Sequence, residues 1–388
     1  MSRPFDASRC LTALEQDSTI IAVIEMSQSK WLVAAVVPGI ERQPLKKLDA
    51  DEAALLKLLH RWRHEAGAAG REIKRIVVAY EAGRDGFWLA RWLRARDVEA
   101  YVIDPASIAV SREHRRAKTD RLDTELLTRA FLAWLRGERR HCSMVAIPSV
   151  EEEDARRPNR ERGNLVTEQT RVVNQIKAIL TRFGIRSFKP SLRKAEHDLE
   201  ALRTAEGMRL PDNTRAELRR HLARLRVLRE QIRAIEQERL RKLAAAPADQ
   251  GRHAMIRLIA RVLGVGVETA DMLVNEVLSR HLRDHKAIAR YAGLTGSPDE
   301  SGKRRRERGL ARAGNARVRC GMIQLAWRFL RFQKDSALAQ WFHARTADGR
   351  GSTRKTMIVA LARKLLIALW RLVMTGEIPQ GVVLRPAS

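Results

Sequence analysis

Cysteine is scarce: Cys10, Cys142 and Cys320 are the only three in 388 residues. They are scattered and share no metal-ligand spacing. This excludes a disulfide scaffold or a cysteine metal site and fits reduced thiols in a cytosolic protein. A long uncharged apolar run is also missing. The most apolar late stretch, 357–374, contains Arg363, Lys364 and Arg371, and a membrane span would not carry three central charges. No signal-peptide pattern opens the chain. Internal repeats and long low-complexity tracts are absent. Acidic residues are the minority, with 46 Asp+Glu against 74 Lys+Arg and a net charge of +28. Such a surface attracts polyanions, and phosphate neutralisation makes nucleic acid the expected partner. Composition leaves two readings open: an enzyme acting on nucleic acid, or a ribosomal or chromatin-type protein that coats it. The length suffices for two or three domains with a proper core.

Residues from about 19 to 140 alternate strands and helices. Short apolar runs at 20–24 and 31–37 are close enough to pair as a hairpin. Pro38-Gly39 makes a turn, and 43–48 suits a third strand. A helix over 51–64 carries Leu55, Leu58, Leu59 and Trp62 on one face, and Gly67 and Gly70 end it. A fourth strand at 76–80, a helix at 87–96, a fifth strand at 100–103 and a helix at 120–136 follow. Three strands and then alternating helix and strand is the element order of a ribonuclease-H-like domain. Residues 151–163 are almost wholly charged or turn-forming and read as a linker or exposed helix start. Thr214 and Glu217 suggest a capping box ahead of a long helix. Leu218, Leu225, Leu228, Ile232 and Ile235 fall at near-heptad spacing, which suits a short coiled coil or a long helix packed on its own domain. From about 252 the chain reads as helical, basic and punctuated by glycine.

Four carboxylates stand out by position. Glu25 ends the first strand and Glu81 ends the fourth. Asp120 and Asp123 open the last helix of the first region, and a spacing of three puts both on one face. In a ribonuclease-H-like sheet the first and fourth strands are neighbours. A cluster of carboxylate oxygens suits Mg²⁺, a hard cation, and two such ions about 3.5–4 Å apart can clamp the attacking and leaving oxygens of phosphoryl transfer. The plainer readings are solvated strand-end acids, a helix N-cap at Asp120 and a dipole-favoured Asp123.

Further along, Gly264-Val265-Gly266 between two apolar helical runs resembles a helix-hairpin-helix, where glycine lets backbone approach a phosphate and the next helix offers free N–H groups. A plain tight turn is the alternative. Gly296-Ser297-Pro298-Asp299-Glu300-Ser301-Gly302 runs into Lys303-Arg304-Arg305-Arg306, then Arg312, Gly314-Asn315 and Arg319. A serine beside glycine is sterically open, and the arginines could hold a scissile phosphate. Equally, serine and glycine are loop residues and the arginines are backbone-phosphate contacts. Trp327, Phe329, Phe332, Trp341 and Phe342 lie at helical spacing, which favours core packing over base stacking.

Together these pieces resemble the insertion-sequence transposases with a DEDD site, family one-ten with its eleven-eleven branch. The match rests on Tyr80-Glu81-Ala82-Gly83, Val102-Ile103-Asp104-Pro105, Lys118-Thr119-Asp120-Arg121-Leu122-Asp123, Leu263-Gly264-Val265-Gly266, Tyr291-Ala292-Gly293-Leu294, Ser301-Gly302-Lys303 and Gly314-Asn315 with Arg319. Their order and spacing cover most of the chain. The resemblance implies a RuvC-type Holliday-junction resolvase fold with Mg²⁺ held by Glu25, Glu81, Asp120 and Asp123. It maps a serine nucleophile to Ser301, with Gly264, Gly266, Lys303, Arg304, Arg305, Arg306, Arg312, Asn315 and Arg319 expected on nucleic acid. It further implies a covalent serine–DNA intermediate, donor and target DNA, a structured guide RNA, and a homo-oligomer in a prokaryotic cytoplasm at the nucleoid. Three positions depart from the family pattern. Glu25 stands for an aspartate, Glu300 for the first of two serines, and Gly296 for a proline.

The expected architecture is an α/β ribonuclease-H-like (RuvC-like) domain over 1–145, a helical coiled-coil connector over 146–250, and an α-helical serine domain over 251–388. A metal-dependent junction resolvase or nuclease with a passive Ser301 is the alternative enzyme. A non-catalytic basic binder on the same fold is the alternative outside enzymes.

Overall fold

The computed structural model describes residues 14–108, 120–247, 250–280, 282–301, 304–310 and 313–386, with backbone alone for Asp120, 297–301 and 304–308. The chain divides into two compact units, Met1–Ser149 and Val150–Ser388.

The first unit is built on β1 (Thr19–Met26), β2 (Lys30–Val36), β3 (Leu45–Asp49), β4 (Arg75–Glu81) and β5 (Glu99–Ile103). The sheet order is β3-β2-β1-β4-β5. β1 pairs antiparallel with β2 and parallel with β4, while β5 continues parallel to β4. Thr19 to Ile24 are all buried because β1 is central and covered on both faces. β3 is the exposed edge, and Lys46 and Lys47 on it discourage edge-to-edge pairing.

Strand parity divides the core. Ile20, Ala22, Ile24, Val78 and Tyr80 face one side, where α1 (Glu52–Ala68) and α2 (Trp88–Arg94) bury Leu55, Leu59, Trp62, Leu89 and Leu93. Asp51 caps α1 by accepting from Ala53 N at 2.8 Å. The helix runs through Gly67, and the chain turns only at Gly70, whose φ of 76° suits glycine. Ile21, Val23, Val77, Ala79, Tyr101 and Ile103 face the other side, under Leu127, Ala130, Phe131 and Trp134 of α3 (Asp120–Leu135). The Tyr101 ring lies 5.6 Å from Phe131 and 5.3 Å from Trp134.

The second unit contains α4 (Val150–Asp154), α5 (Arg157–Thr181), α6 (Ala195–Ala201), α7 (Asp212–Ala245), α8 (Gly251–Ala260) and α9 (Val267–Leu273). A π-helical segment, Val274–Leu278, extends α9; α10 (His285–Tyr291), β6 (Gly296–Ser301), β7 (Arg304–Leu310), α11 (Ala316–Phe332), α12 (Ala337–Arg345) and α13 (Gly351–Thr375) complete it. The charged stretch 151–163 is helical throughout most of its length. Pro158 falls in the first turn of α5, where a missing N–H costs nothing. α7 begins at Asp212 behind Pro211, with no side-chain cap, so Thr214 lies inside the first turn and forms no capping box. Its leucines pack inside the chain: Leu218, Leu222, Leu225 and Leu228 meet Val172, Ile176 and Leu180 of α5. The near-heptad leucines of this helix thus pack on α5 within the same chain. A separate core joins α8, α9, α11 and α13 through Ile259, Leu273, Leu325, Phe329, Leu365 and Leu369. The β6–β7 hairpin breaks the expected all-helical run. Ser297-Pro298 and the arginine string supply extended backbone where helical periodicity is absent.

Two outcomes follow. Phe131→Ala opens a void between α3 and the sheet and lowers stability by about 3–5 kcal/mol in denaturant titration. At the start of β4 and β5, Arg75 grips Glu99 at 2.8 and 2.9 Å. Burial alone would raise the Glu99 carboxyl, but Arg75, Tyr101 and Arg94 outweigh it and hold it below its ordinary 4.5. A depressed folded value means this contribution is complete above pH 4.5 and is lost as pH falls through the folded value. Arg75→Gln therefore costs about 1 kcal/mol or less at pH 7, and the difference from the unsubstituted protein narrows in urea melts below pH 4.

Candidate active site

β1 and β4 bring two acids together. Ile24 pairs with Tyr80 in parallel register, so Glu25 and Glu81 are the next residues on neighbouring strands. Both share the parity of the residues beneath α3 and are half-buried. With Met26, Ser27, Tyr80 and residues 82–86 they line one cleft of about 330 Å³. The 82–86 loop is pinned to the sheet. Tyr80 Oη donates to Gly86 O at 3.1 Å and accepts from Ala90 N at 3.3 Å. Ala82 N donates to Ile103 O at 2.8 Å.

This loop adds Arg84 and Asp85 to the cleft lining, two residues absent from the sequence-based set. With its amide oxygen turned inward, Gln28 accepts from both terminal nitrogens of Arg84 at 2.9 and 2.8 Å. The available signal was local: a Gly-Arg-Asp-Gly turn two residues after a strand-end acid.

Asp123 is half-buried in the first turn of α3, four residues before the buried Leu127. Asp120 is the first residue of the same helix, and its side chain lies outside the described residues. The lining of the cleft comes from 25–27 and 80–86. Among the described residues, no three His, Cys, Asp or Glu form a metal-binding group. The structure thus joins Glu25 with Glu81 and places both aspartates on the helix that covers their face of the sheet.

Ser301 is the last residue of β6. It pairs with Arg304, while Glu300 pairs with Arg305 and Asp299 with Arg306. The serine therefore sits at the tip of a hairpin whose return strand opens with three arginines. Lys303 and Arg312 lie outside the described residues, as do the side chains of Ser301 and of Arg304, Arg305 and Arg306.

Asn315 caps α11: its Oδ1 accepts from Arg317 N at 3.0 Å and Val318 N at 3.3 Å. Its Nδ2 donates to Glu276 at 3.0 Å. Arg319 reaches back to Ala313 O at 3.4 Å. Gly264 has φ 95°, and an added Cβ would meet the Phe332 side chain at 3.0 Å, so this turn requires glycine for packing as well as backbone shape. Gly266 precedes α9 and faces open space. Of the aromatic set, Phe329 and Phe342 are core residues, whereas Trp327 and Phe332 stay exposed. Arg354 stands 5.2 Å over the Trp327 ring.

Sequence reasoning also missed Glu276. It is 1% exposed and bound by Arg160 at 2.8 and 3.1 Å. Burial alone would raise this carboxyl; Arg160, Asn315 and Arg156 outweigh it and hold it below the ordinary range. The signal was an acid within the apolar run Met272-Leu273-Val274-Asn275-Glu276-Val277-Leu278.

Among the described residues, no helix is long and apolar enough to cross a membrane. Comparison with known proteins places both sites in matched regions. Residues 24–185, which include all four acids, match the DEDD transposase model of IS110, described as a transposase. Residues 256–341, which include Ser301, match the model described as the transposase IS116/IS110/IS902 family. A curated protein of Sinorhizobium fredii, y4rJ, named as a candidate transposase, is 44% identical over 386 residues, covering 96% of this chain and 97% of its own length. Matches to both halves, and a relative aligned almost end to end, establish that the chain belongs to the IS110 family of transposases.

Proposed function

We propose that this transposase cuts and rejoins DNA by phosphoryl transfer, with an acid cleft on a ribonuclease-H-like sheet and Ser301 as nucleophile. The observation that carries the reading is the side-by-side placement of Glu25 and Glu81 on neighbouring strand ends, within one cleft. The donor set is all carboxylate oxygen, which fits Mg²⁺ better than a softer metal. Glu25, Glu81, Asp120 and Asp123 would hold it. Bound there, Mg²⁺ would neutralise charge developing on the phosphoryl oxygens.

Ser301 does the covalent work in this reading. Its Oγ forms a bond to phosphorus as the bond from phosphorus to a sugar oxygen breaks. The serine proton is lost to solvent or a base, and the leaving sugar oxygen gains one. A hydroxyl of the incoming strand then attacks the phosphoserine ester and releases the serine, so the phosphodiester is rebuilt without an external energy source. A hairpin tip flanked by Arg304, Arg305 and Arg306 supports this role, because guanidinium groups suit a phosphate in flight.

The two candidate sites belong to different compact units. We extend the proposal to a homo-oligomer in which the acid cleft of one copy acts with the serine hairpin of another. The +28 charge supports binding of donor and target DNA together with a structured guide RNA. In that arrangement base pairing reads sequence and the protein holds backbones. Gly266, Lys303, Arg312 and Arg319 are proposed contacts to those backbones. Gly264 and Asn315 shape the surface on which they sit.

The reading predicts a covalent protein–DNA adduct on a denaturing gel when protein, Mg²⁺, element-end DNA and RNA transcribed from its flank are combined. Ser301→Ala abolishes the adduct. Glu81→Gln and chelation of Mg²⁺ each reduce it about a hundred-fold or more. Cleavage that persists in Ser301→Ala without any adduct would refute the serine step and leave a hydrolytic nuclease.

A further inference from the structure

We infer that the buried carboxylate of Glu276 is a positioning residue, which holds the base of the β6–β7 hairpin in place through Asn315. The inference rests on the reading of Ser301 as nucleophile for its catalytic consequence, though not for its geometry.

The hairpin has two feet. One is Tyr291-Ala292-Gly293 at the end of α10, three residues before Gly296 at the closest. The other is Ala313-Gly314-Asn315 ahead of α11. The feet interlock backbone to backbone. Asn315 N donates to Tyr291 O at 2.6 Å. A Cβ on Gly314 would lie 2.5 Å from Tyr291 O, and one on Gly293 would lie 2.2 Å from Ala313 O. Both glycines also have positive φ, 87° and 64°. No other residue allows this approach.

Glu276 ties that junction to the helical body. One carboxylate oxygen accepts from Arg160 Nε at 2.8 Å; the other accepts from Arg160 Nη2 at 3.1 Å and from Asn315 Nδ2 at 3.0 Å. Asn315 Nδ2 also donates to Tyr291 Oη at 3.4 Å. Arg280 covers the Tyr291 ring at 4.6 Å and donates to the Glu276 carbonyl at 3.1 Å. One buried charge therefore orients the side chains that define both feet.

Two features argue for geometric specification rather than stability alone. A buried ion pair is often no more stabilising than well-packed apolar groups, so what it supplies here is chiefly the fixed geometry of its partners. Glu276 also sits in the π-helical segment, a local departure from α-helix that recurs at functional sites. A hairpin carrying a nucleophile at its far end needs such a base, since a small rotation at the feet is amplified at the tip.

The test uses full-length protein. Glu276→Gln removes the charge and keeps the shape. Asn315→Asp sets a second carboxylate against Glu276. The double exchange restores an amide–carboxylate pair in reverse, and aspartate still caps a helix. Hydrogen exchange across 294–316 is compared with exchange in α13, and the rate of adduct formation with affinity for element-end DNA.

Each single substitution is expected to raise exchange in 294–316 about ten-fold over α13. Each should slow adduct formation about ten-fold, Glu276→Gln with DNA affinity changed less than about three-fold, and the double exchange should recover the exchange profile and the rate. Exchange at the level of the unsubstituted protein in the singles, or a double no better than either, overturns the inference. If a single variant is unfolded, Tyr291→Phe, which strips one hydrogen bond from Asn315, takes its place. A selective rise in exchange then supports the anchor and an unchanged profile overturns it. Exchange is read without any DNA chemistry. A protein that forms no adduct before substitution therefore refutes the serine step, while the exchange profiles still decide the anchor.

Discussion

Parallel pairing of β1 with β4 is the constraint on which the N-terminal unit depends. Parallel neighbours need a long crossover, and α1 supplies it. That crossover covers one face of the sheet and leaves the opposite face to α3. The same pairing sets register. Once Ile24 stands beside Tyr80, Glu25 and Glu81 must follow side by side, and strand alternation turns both toward the α3 face. A slip of one residue would send one acid to the apolar core under α1 and α2. The buried parity of Ile20, Ala22, Ile24, Val78 and Tyr80 opposes that slip.

The C-terminal unit depends on a different device. Its two cores are ordinary apolar packing, yet the elements around the hairpin are joined by buried polar groups. Arg239 bonds Glu268 and Asp271, Arg160 bonds Glu276, and Asn159 bonds Asp271. Burial raises the Asp271 carboxyl despite Arg239 and Asn159, whereas Arg160 and Asn315 overcome burial at Glu276 and keep it low. In a chain of net charge +28, such carboxylates also neutralise part of the self-repulsion inside the helical body. The exposed arginines and lysines are left for polyanionic partners.

Several elements were legible in advance. The short apolar runs of β1 and β2, the Leu55–Leu58–Leu59–Trp62 face of α1 and the helix expected over 120–136 appear in the structure within a few residues of their expected bounds. Others were less so. Thr214 and Glu217 have capping-box spacing, but α7 starts earlier, at Asp212 directly behind Pro211, so Thr214 is already inside the helix. The charges of 151–163 admit a linker or an exposed helix start, and the helix start is what forms; nothing local reveals that Arg160 will meet Glu276, 116 residues away. Residues 296–310 lack either period, since a hairpin held at its feet needs no apolar face of its own.

Sequence by itself determined the family, the basic surface, the strand-end acids and the serine–glycine–arginine segment. Each of these is a property of residue type and local spacing. Tertiary structure alone decided that Glu25 and Glu81 share a cleft with Arg84 and Asp85, and that Ser301 stands at a hairpin tip. It alone revealed Glu276 beneath the feet of that hairpin. These are contacts between residues far apart in the chain. Their partners are chosen by packing and register, which periodicity within a segment does not encode.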